Sequence, residues 1–149
     1  MPLDKSALLD FLEEVDKELE AAITLVAVGG TALTLLDAKA STMDVDFTIP
    51  SNDHAVFKET LGRTPHGFKV HCWKDGAVFS QFLPDDYLMR SILVKKMEHI
   101  HLRALNPVDI VVTKIGRLDR RDIQDIETAI RKFKLRKSQI VKRAKKSSM

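Results

Sequence analysis

Two aspartates separated by a single valine, Asp44-Val45-Asp46, stand inside an apolar run that ends at Ile49. Successive side chains of a strand point to opposite faces, so residues two apart share a face. The two carboxylates therefore project side by side, about 6–7 Å apart at ~3.3 Å per residue, while Val45 and Phe47 turn toward a core. Two like charges on one face repel and are costly to bury unpaired. A divalent cation resolves that conflict, and Mg²⁺ takes oxygen ligands and often sits between one or two carboxylates and substrate phosphates. Upstream lies Gly29-Gly30, between a short apolar run and a helix-like segment. Glycine lets a backbone approach a ligand closely, and the helix that follows offers free N–H groups and a positive dipole end to an anion. A phosphate cradle beside a metal-binding carboxylate pair is an arrangement for handling nucleotides. The plain alternative, a polar strand edge with two solvated acids, fits poorly with the apolar neighbours. Gly29-Gly30 alone would be no more than a helix entry turn.

The elements that position these residues follow from periodicity. Residues 4–20 read as an amphipathic helix, with Leu8, Leu12, Val15 and Leu19 on one stripe. Residues 23–28 are a strongly apolar strand, central in its sheet. A helix over 31–37 and the Asp-x-Asp strand over 43–49, stopped by Pro50, follow. Ser51 is placed to cap a helix over 53–61 that Gly62 closes. Residues 68–73 and 77–82 read as two strands of a hairpin around Asp75-Gly76. Weaker strands cover 91–94 and 98–105. Asn106-Pro107 opens a helix with Val108, Val111, Val112, Ile115 and Leu118 as its buried stripe. The next helix, 120–133, packs through Ile123, Ile126, Ile130 and Phe133, and a last basic helix covers 137–145. Strands with inserted and then appended helices predict an α+β (α/β-like) fold with a small mixed sheet.

Composition bounds the partners. The 149 residues are the size of one ordinary domain, 44% hydrophobic and 30% charged, as a globular chain with one core requires. No apolar run reaches the ~18–20 residues of a membrane span, and the acidic, amphipathic first residues are unlike a signal peptide. A lone Cys72 allows no internal disulfide and fits a reducing, cytoplasmic setting. Residues 131–146 hold nine Lys or Arg and no acid, whereas the other 133 residues carry a net charge of −6. Such a basic tail is a candidate nucleic-acid contact, although a solvated helix face or frayed terminus is the commoner reason for one.

Gly29-Gly30-Thr31-Ala32-Leu33 followed by Thr42-Met43-Asp44-Val45-Asp46 resembles the DNA polymerase beta-like nucleotidyltransferase superfamily, whose members carry a Gly-Gly or Gly-Ser turn, a helix and an Asp-x-Asp strand. The pattern is most similar to its minimal, abortive-infection-toxin-like (AbiEii-like) branch. The resemblance extends through Asn106-Pro107-Val108-Asp109-Ile110, Lys114 and Arg121-Asp122-Ile123-Gln124-Asp125-Ile126, and covers roughly residues 23–130. It implies Mg²⁺ at Asp44 and Asp46, an NTP whose phosphates rest on Gly29, Gly30 and Thr31, positive charge from Lys114 and Arg121, and transfer of a nucleotide to an RNA or protein acceptor. A cognate antitoxin is the implied partner. Asp109, Asp122 and Asp125 read as structural, with Arg121 and Asp125 an i, i+4 ion pair.

One departure bears on activity. Active members usually carry a third carboxylate on a following strand, and the alignment of Phe68-Lys69-Val70-His71-Cys72-Trp73 puts His71 in that place. An imidazole can act as a general base near neutral pH but is a poor Mg²⁺ ligand. Mn²⁺ or Zn²⁺, which accept nitrogen, are then alternatives. Asp75 in the turn is out of position. His54, His66, His99 and His101 show no metal-ligand spacing tied to an acid cluster, and Cys72 has no motif of a nucleophile. Three functions stay open: a metal-dependent nucleotidyltransferase, a catalytically degenerate nucleotide- or partner-binding module of the same fold, and a nucleic-acid-binding protein acting through its basic tail.

Overall fold

The computed structural model describes residues 2–117 and 120–146, residue 121 for its backbone alone. Helix α1 (Lys5–Lys17) is capped by Asp4, whose carboxylate accepts the Ala7 N–H at 2.8 Å. Leu8, Leu12, Val15 and Leu19 are all buried, as the stripe requires. Strand β1 (Ile23–Ala27) leads into α2 (Gly29–Leu35), then β2 (Val45–Ile49), α3 (Ser51–Arg63) and β3 (Val70–Lys74). Two short strands, β4 (Ala77–Val78) and β5 (Gln81–Phe82), precede α4 (Tyr87–Arg90), β6 (Ile92–Lys96) and β7 (Ile100–Ala104). The chain then turns helical: α5 (Pro107–Arg117), α6 (Arg120–Phe133) and α7 (Lys137–Ala144).

Five strands form one mixed sheet in the order β3-β2-β1-β7-β6, flanked by helices. β1 is its centre, antiparallel to β2 and parallel to β7, which explains its continuous apolar run. β2 and β3 are parallel, with α3 as their crossover. The core joins Phe47, Phe57, Leu25, Leu33, Ile100, Leu102 and Ile110. The α+β architecture and small mixed sheet follow the expectation from sequence.

Several local expectations are corrected. Residues 77–82 do not form a hairpin ladder with β3. β3 pairs in parallel with β2, and β4 with β5 make a separate two-stranded ribbon. Asp75 and Gly76, at φ 46° and 83°, do make a tight left-handed turn. That turn is held by the Asp75 N–H to Ile49 O at 2.9 Å, which continues the β2–β3 ladder, and not by pairing of β3 with residues 77–82. α3 passes through Gly62 to Arg63, and its first turn is served by the Asp75 carboxylate, which accepts from the Ser51 N–H at 2.9 Å. Ile115 and Ile123 are exposed, at 46% and 48%. The buried face of α6 instead carries Asp122, Asp125 and Ala129. Leu118 lies outside the described residues.

The basic tail is not a mere appendage. α7 packs on α5 and buries Ile140 and Arg143. The Arg143 guanidinium grips Asp109 of α5, Nε to Oδ1 at 2.5 Å and Nη2 to Oδ2 at 3.0 Å, and its Nη1 lies 2.7 Å from Asp86 Oδ1. Asp109 is fully buried. Breaking a buried pair by removing one partner costs about 3–5 kcal/mol, because the other charge is left without compensation. Arg143→Ala is therefore expected to lose stability of that order in urea denaturation, and truncation after Leu135 to do the same. Combining Arg143→Ala with Asp109→Leu should recover much of the loss. An unchanged midpoint for Arg143→Ala would return the tail to a solvated role.

Candidate functional site

The glycine turn and the two aspartates are brought together by a short set of hydrogen bonds between α2 and β2. Gly29 adopts φ +55°, the left-handed conformation that favours glycine. The Val28 N–H donates to Asp46 O at 3.0 Å. The Thr31 hydroxyl donates to Asp44 O at 3.0 Å and accepts the Asp46 N–H at 2.9 Å, and Thr42 Oγ1 also donates to Asp44 O at 2.9 Å. These bonds fix the backbone of residues 44–46 against the first turn of α2. The approach is close: a Cβ on Gly30 would lie 3.0 Å from Thr42 Oγ1, and one on Gly29 3.8 Å from Asp46 Oδ2. The first intrahelical bond of α2 is the Ala32 N–H to Val28 O. The amides of Gly29, Gly30 and Thr31 thus have no helical acceptor.

Asp44, just before β2, and Asp46, within it, open with Gly29 and Gly30 onto one cleft of about 140 Å³. Lys39, Thr42, Phe79, Lys114, Arg117, Asp122 and Asp125 complete its wall. Asp46 is 8% exposed. Burial pushes its carboxyl above the usual carboxylate range; the hydrogen bond and charge of His71 pull it part of the way back, and the Asp44 charge adds to the rise. A buried carboxylate next to a second one, both facing the same small cleft, is a donor set that fits a hard divalent cation.

His71 is placed by register. The parallel β2–β3 ladder sets it beside Asp46, with Nδ1 2.8 Å from Asp46 Oδ1. An ionised carboxylate only accepts, so the proton lies on Nδ1. His71 does not line the cleft; it borders a shallower groove along the edge strand β3, with Lys58, Leu61, Phe68 and Trp73. It therefore holds and orients Asp46, as partners behind a ligating group do, and does not stand as a third ligand. Asp75, bonded to Ser51, is remote from this arrangement.

Thr31 and Lys114, expected as nucleotide contacts, both have partners within the protein. Thr31 is fully buried and its hydroxyl is committed to the backbone of residues 44–46, so its side chain positions the aspartates. Lys114 lines the cleft, but its ammonium is divided between Asp122 at 2.9 Å and Asp125 at 3.0 Å. The Arg121 side chain lies outside the described residues, and the partners of Asp125 include Lys39, at 3.1 Å, along with Lys114. Arg117 makes two hydrogen bonds to Asp122, at 2.8 and 2.7 Å, and lays its guanidinium 4.4 Å from the Phe79 ring centroid. Phe79 has φ +56°, a costly conformation for a non-glycine residue. Lys39, Phe79 and Arg117 were not anticipated from sequence. Arg117 had a signal, lying three residues after Lys114 on the same helix face; Lys39 and Phe79, in connecting segments, had none.

Elsewhere, burial pushes the Cys72 thiol up to about 11, which leaves it unreactive. Asp16, Glu98 and His99 place potential metal-ligating atoms within 4.8 Å of one another. The expectation that His99 stands apart from acids is thus corrected. Asp16 is already occupied there, its Oδ1 accepting the N–H groups of His99 and Ile100 at 2.8 and 2.7 Å.

The raised Asp46 carboxyl has a thermodynamic consequence. A carboxyl whose folded pKa exceeds its unfolded value contributes stability below the unfolded pKa, and that contribution is lost as pH rises through the folded pKa. At neutral pH and without metal, the ionised Asp46 destabilises the fold. Asp46→Asn is expected to raise the melting temperature of the metal-free protein at pH 7–8, with an advantage that shrinks toward pH 4.5. A lower melting temperature for the variant across that range would contradict this account.

Three comparisons bear on identity. Among curated proteins, none matches the sequence at a significant level. The fold is similar to the crystal structure of ANT(2")-Ia in complex with adenylyl-2"-tobramycin, with a TM-score of 0.64 over 95% of each chain at 12% identity. Residues 6–137 match the family described as "Nucleotidyltransferase of unknown function (DUF6036)". With most of its length inside that match, the chain belongs to this family of nucleotidyltransferases.

Proposed function

We propose that the protein transfers a nucleotidyl group from an NTP to a hydroxyl acceptor, with Asp44 and Asp46 as the residues that make the reaction metal-dependent. The observation that carries this reading is the convergence of Gly29, Gly30, Asp44 and Asp46 on one cleft, with the Asp46 carboxylate buried in it. Asp44 and Asp46 would hold a divalent ion, Mg²⁺ by their oxygen chemistry, which would polarise the α-phosphorus and neutralise the leaving pyrophosphate. The amides of Gly29 and Gly30 face the terminal phosphates as hydrogen-bond donors. Lys39 and Arg117, both partly exposed at the cleft, offer the accessible positive charge, while the buried Lys114 fixes the carboxylates that hold them. His71 keeps Asp46 in one rotamer and in its ionised form. The base and sugar would lie toward Phe79, in the wall of the cleft.

RNA and protein are the acceptor classes implied by the motif resemblance, as are the toxin role and a cognate antitoxin. The ANT(2")-Ia complex, which holds adenylyl-2"-tobramycin, adds a small hydroxylated molecule as a third class to be assayed. A second reading has its own observation. His71 pairs in register with Asp46, and the motif resemblance implies a carboxylate at this strand position; without it the fold would bind nucleotide with little transfer.

Turnover of labelled NTPs separates the two. Under the first reading, wild type transfers label in Mg²⁺, and Asp44→Asn and Asp46→Asn do not. His71→Ala should weaken metal affinity about 10–100-fold, the usual cost of losing a group that orients a ligand. Under the second reading, wild type is inert in Mg²⁺ and His71→Asp gains transfer. Absence of both nucleotide binding and transfer, in Mg²⁺ and in Mn²⁺, would sink the nucleotidyltransferase reading.

Affinity for metal should also depend on pH in a stated direction. Because burial raises the Asp46 carboxyl, Mg²⁺ binding should begin to weaken, as pH falls, well above the ~3.9 of an ordinary aspartate. Calorimetric titration between pH 5 and 8 measures this. A flat affinity over that range would show that Asp46 is not the ligand.

A further inference from the structure

At the end of α5 away from the catalytic cleft, a second cavity of about 220 Å³ is walled by Arg90, Val108, Gln139, Lys142, Arg143 and Lys146. It shares no lining residue with the first cleft. Arg143 is buried there and its charge is spent on Asp109 and Asp86. The other three bases are different. Arg90, Lys142 and Lys146 are exposed, and among the described residues none of them has an ion-pair contact, although the Arg90 charge acts on Asp86 nearby. Gln139 uses its Oε1 to accept the Arg136 N–H at 2.8 Å, which leaves its NH₂ group available to donate.

Lys142 lies on α7 and Lys146 just past its end, and both line the cavity, so their like charges converge on one small space. Arg90 meets them from α4 across the cavity. An anion in the cavity removes that repulsion and gives the converging donors an acceptor. The surrounding surface extends the pattern: of the nine bases in residues 131–146, Arg143 is the one ion-paired among the described residues. A repeated anion is what such a surface complements.

We propose that this pocket and the exposed bases of α6 and α7 bind the phosphodiester backbone of a nucleic-acid strand. An anionic membrane is the poorer fit, because a helix that lies on a bilayer must bury an apolar face in it, and α7 turns Ile140 into its own core. Recognition is by phosphate and not by base, so RNA and DNA strands of the same sequence bind alike. Any role in presenting that strand as the acceptor rests on the transfer reading; the binding itself does not.

The test is fluorescence anisotropy of the full chain with a 20-nucleotide single-stranded RNA, and the matching DNA, across a salt series. The triple variant Arg90→Gln/Lys142→Gln/Lys146→Gln is compared with Lys69→Gln/Lys74→Gln/Lys96→Gln, which removes equal charge elsewhere. Binding by wild type should fall steeply with salt, and the pocket variant should lose about two units of the log–log slope, at ~0.7 per phosphate contact on a single strand. The second variant should keep the wild-type slope. Equal losses in both variants, no loss in the pocket variant, or wild-type binding to phosphatidylcholine vesicles containing phosphatidylserine without binding to either strand would each overturn the proposal. NTP binding is followed separately through Trp73, the sole tryptophan, 4.7 Å from Phe79 at the cleft. Strand binding without NTP binding would leave this proposal standing and remove the transfer reading alone.

Discussion

The arrangement of the site depends on one side chain that touches no ligand. The Thr31 hydroxyl donates to Asp44 O and accepts the Asp46 N–H. A hydroxyl is the smallest side-chain group able to do both. Placed on the first turn of α2, it couples the left-handed turn at Gly29 to the strand that carries the carboxylates. The coupling works because β1 and β2 are neighbours, so the Val28 N–H can also reach Asp46 O. A site built this way has its backbone fixed before any ion or phosphate arrives, which reduces the ordering cost of binding.

The charges around the cleft divide into two sets. Lys39, Asp125, Lys114, Asp122 and Arg117 alternate in sign along one chain of ion pairs. Lys114 and Asp122 are nearly inaccessible, and a buried pair of this kind is weak evidence for stability, because desolvation offsets the attraction. Its effect is to lock α5 and α6 in one relative position and to leave Lys39 and Arg117 at the surface of the cleft. Asp44 and Asp46 form the second set; among the described residues their one ion pair is that of Asp46 with the His71 imidazole. The negative charge of the site is thus concentrated where an ion would enter, and the positive charge where phosphates would lie.

Sequence reasoning recovered what is periodic or local. The Asp-x-Asp strand, the glycine turn, the central apolar strand and the helical order could be read because each has a spacing signal. The alignment put His71 at the position of a third carboxylate but read its strand as half of a hairpin; the structure pairs β3 with β2 and sets His71 beside Asp46. What escaped was long-range pairing among polar residues. Ile123 has the period of a buried residue, yet α6 is rotated to bury Asp122 and Asp125, because Lys114 and Lys39 wait for them. Likewise the run of bases at 131–146 conceals one residue, Arg143, that faces inward to a buried acid 34 positions earlier. No local pattern distinguishes it from its neighbours.

His71 shows why the substitution of one ligand type need not empty a site. A third carboxylate beside Asp46 would add negative charge to a residue whose own ionisation is already opposed by burial and by Asp44. The imidazole instead donates to Asp46 Oδ1, which favours its charged form and leaves Oδ2 turned toward Gly29. If Asp46 holds a metal as proposed, the exchange would trade one potential contact for better control of the other. Because β3 is an edge strand, the far side of the imidazole faces the open groove bounded by Lys58 and Phe68 and not the cleft.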